Sequence, residues 1–330
     1  MINPDLKLAE NIFDKPGMAS TREGFGMGVV EAGKIDERIV VLTADLAEST
    51  QAHHFQKAFP ERFIQVGVAE QNMATVAAGM ANYGKIPFIT SYAAFSPGRN
   101  WEQIRTTIAL NNVPVIVCGM HVGVSVGPDG ATHQMLEDIA LMRALPNMIV
   151  ISPCDAEEGR KATLALAKKG VPGYMRFGRE KTPVMTTTDT PFEIGKANVM
   201  WRSESPAVVI FATGPLVHNA LLAARELESE GVRLSVVNIH TIKPLDKAAV
   251  IALARTAGAV VTVEEHQITG GLGGAIAELL AQEYPVPMEC IGVNDAFGQS
   301  GTPNELIEHY RMGVFHIGEA AKKAIARKKS

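Results

Sequence analysis

Cysteine is scarce in this chain: Cys118, Cys154 and Cys290 are the only three in 330 residues. They lie far apart in mostly apolar surroundings, which excludes a disulfide framework and a thiolate metal cluster. Buried packing in a reducing compartment suits them, and a cytoplasmic location is expected. No run of about 18 apolar residues occurs, so a membrane-spanning helix is excluded. The start, Met-Ile-Asn-Pro-Asp-Leu-Lys, lacks the basic beginning and apolar centre of a secretory signal. Positive charge is not in surplus either. Against 31 Lys and Arg stand 35 Asp and Glu, a net charge of −4, which gives no reason to expect nucleic acid. The basic end (Lys322, Lys323, Arg327, Lys328, Lys329) reads as a solvated helix face and tail.

What is present is ample core material. Hydrophobic residues make up 46% and charged residues 20%, and the length suits two domains of ordinary size. Residues 1–20 read as a loose leader, because Pro4, Pro16 and Gly17 oppose regular structure. Ser20-Thr21-Arg22-Glu23 then offers caps for a helix running to about Ala32. Beyond it, apolar strands at 38–43, 63–68, 86–90, 114–119, 148–152 and 173–177 alternate with helices at 71–82, 100–111, 135–144 and 155–168. After Thr186-Thr187-Thr188-Asp189 the grammar starts again. Strands are expected at 207–212, 233–238, 259–264 and 287–291, with helices at 216–230, 246–256 and 272–282 and terminal helices after Pro303. Continuous apolar strands spaced by helices mean mainly parallel sheets covered on both faces. The expected fold is α/β: two three-layer α/β domains, 1–190 and 191–330, joined near 181–195 and without an internal repeat.

The stretch that organises the first domain is residues 63–82. Its half Phe-Ile-Gln-Val-Gly-Val reads as a buried strand, and the Ala- and Met-rich half after it as a helix. Glu70 sits at the handover, where open α/β sheets bind ligands. Flanked by Val66, Val68 and Ala69, its carboxyl group can be kept partly dry, which favours the protonated form. The plainer reading is that Glu70 merely complements the helix dipole. A second strand-end loop, residues 121–133, carries His121, Asp129 and His133 among three glycines, as a polyhydroxylated, phosphorylated substrate would need. Within it, Gly123-Val124-Ser125-Val126-Gly127 fits a hydrolase nucleophile elbow, with Asp246 and His266 following in triad order. Pro128 and Gly130 oppose the helix that such an elbow must enter, so Ser125 is rejected as a nucleophile. Gly270-Gly271-Leu272-Gly273-Gly274 could cradle phosphate at a helix start, but it misses the full dinucleotide fingerprint and reads as packing.

An ordered series of motifs resembles the transketolase family of thiamine-diphosphate enzymes. It comprises Thr21-Arg22, Thr43-Ala44-Asp45-Leu46, Val68-Ala69-Glu70-Gln71-Asn72-Met73 and Ser91-Tyr92-Ala93-Ala94-Phe95. It continues with Asp129-Gly130-Ala131-Thr132-His133-Gln134, Phe177-Gly178-Arg179-Glu180 and Glu264-Glu265-His266. The resemblance implies a pyrimidine-binding domain followed by a transketolase C-terminal domain. It implies that Glu70 bonds the cofactor's aminopyrimidine ring, where a carboxylic acid promotes removal of a weakly acidic ring proton. Phe95 would pack on that ring with Tyr92 close by, and Asp45 would lie near the cofactor at a subunit interface. His121, Asp129 and His133 would line the sugar channel, His121 and His133 assisting proton movement. Arg22, Ser49 and Arg179 would hold the sugar phosphate, with Arg176 close enough to Arg179 for the two to be exchanged. His266 would approach the interface without a catalytic role.

The family's metal motif, Gly-Asp-Gly with an Asn further on, is missing, and so is the whole diphosphate-binding domain. This chain therefore resembles the C-terminal half of a split transketolase. A separate N-terminal subunit would hold the diphosphate and its Mg2+ or Ca2+, within an α2β2 assembly. No metal site is expected on this chain. The β subunit of a 2-oxoacid dehydrogenase has the same layout, a deoxyxylulose phosphate synthase is a further relative, and a non-catalytic stabilising subunit is a third possibility. The Asp129 to His133 loop and the arginines favour transfer of a two-carbon ketol unit between sugar phosphates.

Overall fold

The computed structural model describes residues 1–329. Apart from a short antiparallel pair, Met18–Ser20 with Lys181–Pro183, the strands form two sheets. The first six of them are β1 (Ile39–Thr43), β2 (Phe63–Gln65), β3 (Ile86–Tyr92), β4 (Ile116–Met120), β5 (Ile149–Ile151) and β6 (Gly173–Phe177). Six more follow: β7 (Asn198–Trp201), β8 (Val208–Ala212), β9 (Leu234–Asn238), β10 (Thr241–Lys243), β11 (Val260–Gln267) and β12 (Met288–Val293). The first sheet runs β10-β5-β6-β4-β3-β1-β2 and the second β12-β11-β8-β9-β7. Each sheet is parallel apart from one antiparallel edge strand, β10 in the first and β7 in the second. Helices cover both faces, as fully apolar parallel strands require. Among the described residues no helix is long and apolar enough to cross a membrane.

Four expectations change. The leader is not loose: Leu6 and Ile12 are buried in the second core, and Asn3 N–H donates to Met200 O at 2.9 Å. Regular structure also forms there: Pro4 opens the 3-10 turn Pro4–Leu6, where its fixed φ suits a helix start, and Met18–Ser20 pairs antiparallel with Lys181–Pro183. Residues 63–68 are not a buried strand, because β2 is three residues long at the sheet edge and Val68 is 70% exposed. Cys290 lies on the edge strand β12 and is exposed, unlike the buried Cys118 and Cys154. Finally, β10 leaves the second half of the chain to pair with β5, so residues beyond 190 complete the first sheet. At the C-terminal end, Lys322 pairs with Glu230, and Lys323 and Arg327 pair with Glu289. The Lys329 side chain and Ser330 of the expected basic tail lie outside the described residues.

Local chemistry sets the helices that matter for the site. Ser20 and Glu23 form a reciprocal capping box at the start of the helix Thr21–Ile35. That helix lies against Ala156–Ala167 at glycines: a Cβ on Gly24 would fall 1.9 Å from Ala156 O. The close approach, together with a 2.8 Å bond from Gly178 N–H to Thr21 Oγ1, brings the helix start beside the end of β6. The helix Glu70–Asn82 buries Met73, Ala74, Ala77, Ala78 and Ala81 at helical spacing. Burying Met73 alone contributes about 1.5–3 kcal/mol.

Glu158 is buried where the two halves meet, accepting from Cys154 N–H at 2.7 Å and from Asn238 Nδ2 at 2.8 Å. Burial, assisted by Asp155, pushes its pKa up to about 7. The raised folded value means that its stabilising protonated state is complete below the unfolded value and is lost as pH rises through about 7. Glu158→Gln keeps the shape, and Asn238, whose Oδ1 is buried without a partner, can turn to accept from the new amide. Urea midpoints at pH 6 and pH 8 should therefore differ less in this variant than in the parent chain. An undiminished difference would show that Glu158 does not titrate in this window.

Candidate active site

Nearly every residue singled out from the sequence comes to the carboxyl ends of the first sheet. Asp45 and Ser49 follow β1, Glu70 follows β2, Tyr92 ends β3 and leads to Phe95, His121 follows β4, and Arg179 follows β6. Arg22 joins them from the start of its helix. Asp129 and His133 lie in and just beyond the turn Val124–Asp129 that β4 feeds. Parallel strands with helical crossovers place all these loops at one edge, the usual ligand crevice.

Glu70 is the first residue of its helix and is only 3% exposed. Val68, 70% exposed, cannot dry it as expected, and the polar contacts of Glu70 come from β3 and the loop beyond. Ser91 Oγ donates to Oε1 at 3.2 Å, Arg99 Nη1 lies 3.5 Å from Oε2, and Asn100 Nδ2 donates to the main-chain oxygen at 2.9 Å. Two long side-chain contacts leave the carboxyl group with unused acceptor capacity. Beside it the rings of Tyr92 and Phe95 stack with centroids 5.9 Å apart. The Arg99 guanidinium stands 4.1 Å over the Phe95 ring, a cation–π contact. Sequence reasoning missed Arg99. Its signal was the spacing: one helical turn beyond Phe95, with Arg99 N–H bonded to Phe95 O at 2.9 Å.

His121 stacks on Tyr92 at 3.9 Å and is 2% exposed. It holds a positive φ of 58°, sparsely populated for a residue with a side chain and a mark of local strain at functional sites. Burial, then the positive fields of Arg22, Arg179 and His133, lower its pKa to about 3. The imidazole is therefore neutral at physiological pH, and its buried Nδ1 has no protein partner. His133 meets Phe95 edge-on at 5.5 Å and Tyr92 at 5.9 Å, its Nδ1 2.9 Å from Thr132 Oγ1.

At the rim, Arg22 Nη1 donates to Ser49 O at 2.6 Å, while its buried Nε has no partner. Burial and the neighbouring Arg179 lower the Arg22 pKa below the usual arginine value. Arg179 Nη1 donates to Val126 O at 2.8 Å and lies 3.8 Å from Asp129. Ser49 thus contributes its main chain to Arg22, and Asp45 is exposed on the β1 loop, its N–H held by Gln65 Oε1 at 2.8 Å. Arg176 does not face the rim. It is buried, bonded to Asp138 at 2.8 and 3.1 Å, which removes the exchange of Arg176 for Arg179.

The competing motifs resolve on geometry. Ser125 lies in a 3-10 turn that Gly127 kinks at φ 80°, and Asp246 caps a helix through Ala249 N–H. His266 is fully buried and hydrogen-bonded to main chain, burial lowering its pKa to about 4. The glycine-rich helix start is filled from within: Glu264 accepts the N–H groups of Leu272 and Gly273, both at 2.7 Å, where a phosphate would sit. Among the described residues no three His, Cys, Asp or Glu side chains gather as ligands for a metal.

The crevice has a flat aromatic shelf, a buried carboxyl group with free acceptor capacity, and a neutral imidazole with an orphaned nitrogen. That set fits a flat heteroaromatic ring bearing hydrogen-bonding nitrogens. Comparison with known proteins names the class. Residues 17–185 match the pyrimidine-binding domain of transketolase, and residues 195–317 match the transketolase C-terminal domain. The chain belongs to the transketolase family and corresponds to the C-terminal half of a split transketolase. A Methanocaldococcus jannaschii protein described as a transketolase C-terminal section is 43% identical over 92% of this chain and 94% of its own length. A 6-deoxy-6-sulfo-D-fructose transketolase subunit of a Clostridium species is 39% identical, over 91% of this chain and 92% of its own length. A solved structure, a split-gene transketolase described as an inactive β4 tetramer, superposes with a TM-score of 0.87 at 43% identity. It covers 94% of this chain and 99% of its own.

Proposed function

We propose that this chain is the C-terminal subunit of a thiamine-diphosphate-dependent transketolase. It would move a two-carbon ketol unit from a ketose phosphate to an aldose phosphate in the cytoplasm. The observation that carries this reading is the juxtaposition of buried Glu70 with the Tyr92–Phe95 shelf and His121. Thiamine diphosphate, when bound, supplies the nucleophilic carbon and the electron sink for carbon–carbon cleavage. Glu70 would share a proton with the ring nitrogen, and Phe95 and Tyr92 would seat the ring. Asp45 would lie close to the cofactor at the subunit boundary. His121, as a neutral imidazole, would bond a sugar hydroxyl and pass a proton with His133. Asp129 would orient a further hydroxyl. Residues 1–190 carry these groups, and residues 191–330 form the second domain.

The metal, Mg2+ or Ca2+, and the diphosphate would be held by a separate N-terminal subunit. The similar solved protein is described as an inactive β4 tetramer of a split-gene transketolase, which supports the reading that activity here needs a second kind of subunit, in an α2β2 assembly. A neighbouring reading frame carrying Gly-Asp-Gly and a downstream Asn would encode the partner. Reconstitution of the pair should give ketol transfer between pentose phosphates and none of the decarboxylation of 2-oxoacids that a dehydrogenase β subunit supports. Full activity of either subunit alone would overturn this reading.

Two guanidinium groups that repel one another, with the buried Arg22 Nε–H left without a partner, suit a dianionic guest. Arg22→Ala and Arg179→Ala should each raise KM for a phosphorylated ketose by about tenfold, with kcat within about threefold. KM for an unphosphorylated ketose should stay unchanged. Equal losses with both substrates would place the arginines elsewhere in the mechanism.

A further inference from the structure

The turn Val124–Asp129 carries Asp129 and separates His121 from His133, and its own main-chain bonding is slight, Gly130 N–H donating to Gly127 O at 3.1 Å. Gly123, Gly127 and Gly130 all have positive φ, at 81°, 80° and 71°, so the main chain is jointed at three places. What holds it comes from outside. Ser125 N–H donates to Glu265 Oε1 at 2.6 Å, across 140 residues of chain. Gln134 Nε2 reaches three carbonyls, Val124 O at 3.0 Å, Gly127 O at 3.2 Å and Gln299 O at 2.9 Å. Arg179 Nη1 takes Val126 O. Glu265 and Gln299 belong to the second half of the chain, whose segment from Ser300 to Pro303 also packs on the turn: a Cβ on Gly127 would lie 3.3 Å from Gly301 O and one on Gly130 2.7 Å from Ser300 Oγ.

Glu265 is built for the contact. It is 6% exposed, and Arg176 Nη2 anchors its main-chain oxygen at 3.1 Å while itself bound to Asp138. Gly123 makes room for the carboxyl group, since a Cβ there would lie 2.2 Å from Glu265 Oε1. Burial raises the pKa of Glu265, opposed by the Ser125 N–H and hydroxyl, so these bonds carry much of its polar satisfaction. The Gly-x-Ser-x-Gly pattern thus has a use other than nucleophilic attack: its serine is a handle.

The geometry points to Glu265 as a positioning residue by which the second domain holds the Ser125 turn and so sets Asp129 and the His121–His133 gap for the sugar. This rests on the proposed sugar-transferring function, and its test separates the two. In the reconstituted pair, Glu265→Ala should raise KM for the sugar substrates by about tenfold with kcat within about threefold. Glu265→Gln, whose amide oxygen can still accept from Ser125 N–H, should return KM to within about threefold of the parent. Ser125→Ala, which loses only the hydroxyl, should shift KM in the same direction by less. Amide exchange on this chain alone reads the tether without any catalysis. Glu265→Ala should speed exchange across 124–129 by about tenfold, leaving the strands of both sheets unchanged. Unaltered exchange in that turn, or KM unchanged in both Glu265→Ala and Ser125→Ala, would overturn the proposal. If Glu265→Ala fails to fold, Ser125→Ala decides alone. An inactive parent pair would sink the functional reading while the exchange result still judged the tether.

Discussion

Glu70→Ala is expected to lower kcat of the reconstituted pair by about 10³-fold or more, the usual scale for removing a positioned proton-transfer group. The expectation follows from burial and bonding. The carboxyl group is nearly dry, contacted by Ser91 and Arg99 at 3.2 and 3.5 Å, and beside the Tyr92–Phe95 shelf. The fold does not depend on that side chain. Asn100 holds the main-chain oxygen of residue 70, and the helix below is packed by Met73, Ala74 and Ala77. Assembly with the partner should therefore be intact by size measurement, which separates lost chemistry from lost structure. Parent-like turnover in Glu70→Ala would remove this residue from the mechanism.

Asp138→Asn should have the largest effect on stability, about 3–5 kcal/mol, because it leaves the Arg176 charge buried without its counter-ion. Asp138 is fully buried and accepts from Arg176 Nε at 2.8 Å, Arg176 Nη2 at 3.1 Å and Tyr174 OH at 2.7 Å. Burial would raise its pKa, but Arg176, the field of His266 and the Tyr174 bond together hold it below the usual value. The lowered folded value means that its contribution is present above the unfolded pKa and is lost as pH falls through the folded one. A urea midpoint at pH 7 checks the first claim. Asp138→Leu with Arg176→Met and Tyr174→Phe should regain part of the loss, since apolar replacement removes the desolvation cost of the charges and of the Tyr174 hydroxyl while Glu265 O still loses its donor. A midpoint within about 0.5 kcal/mol of the parent for Asp138→Asn alone would show that water reaches Arg176.

The part of the site legible in the sequence was the part made of local signals. Apolar β-branched runs leading to Asp45 and His121 place those residues at strand ends, whereas Tyr92 and Arg179 are singled out by the family resemblance and the fold brings them to strand ends too. Glu70 announced itself by the change from strand to helix pattern. Residues whose function depends on a neighbour in space gave no such sign. Arg99 matters because it turns back over Phe95 and Glu70, and Glu265 because a crossover 140 residues later brings it to Ser125. Arg176 and Arg179 look alike as letters three apart. Strand pleat and loop then send one into the interior to Asp138 and the other to the rim.

By itself the sequence determined two α/β layers of parallel strands and the residue types at their carboxyl ends, because hydrophobic period and turn chemistry act over a few neighbours. Only tertiary structure decided that the leader covers the second core, that β10 completes the first sheet, and that Glu265 grips the Ser125 turn. Those outcomes depend on which buried polar groups find partners once the chain has crossed over itself, and a pattern along one strand carries no record of that pairing.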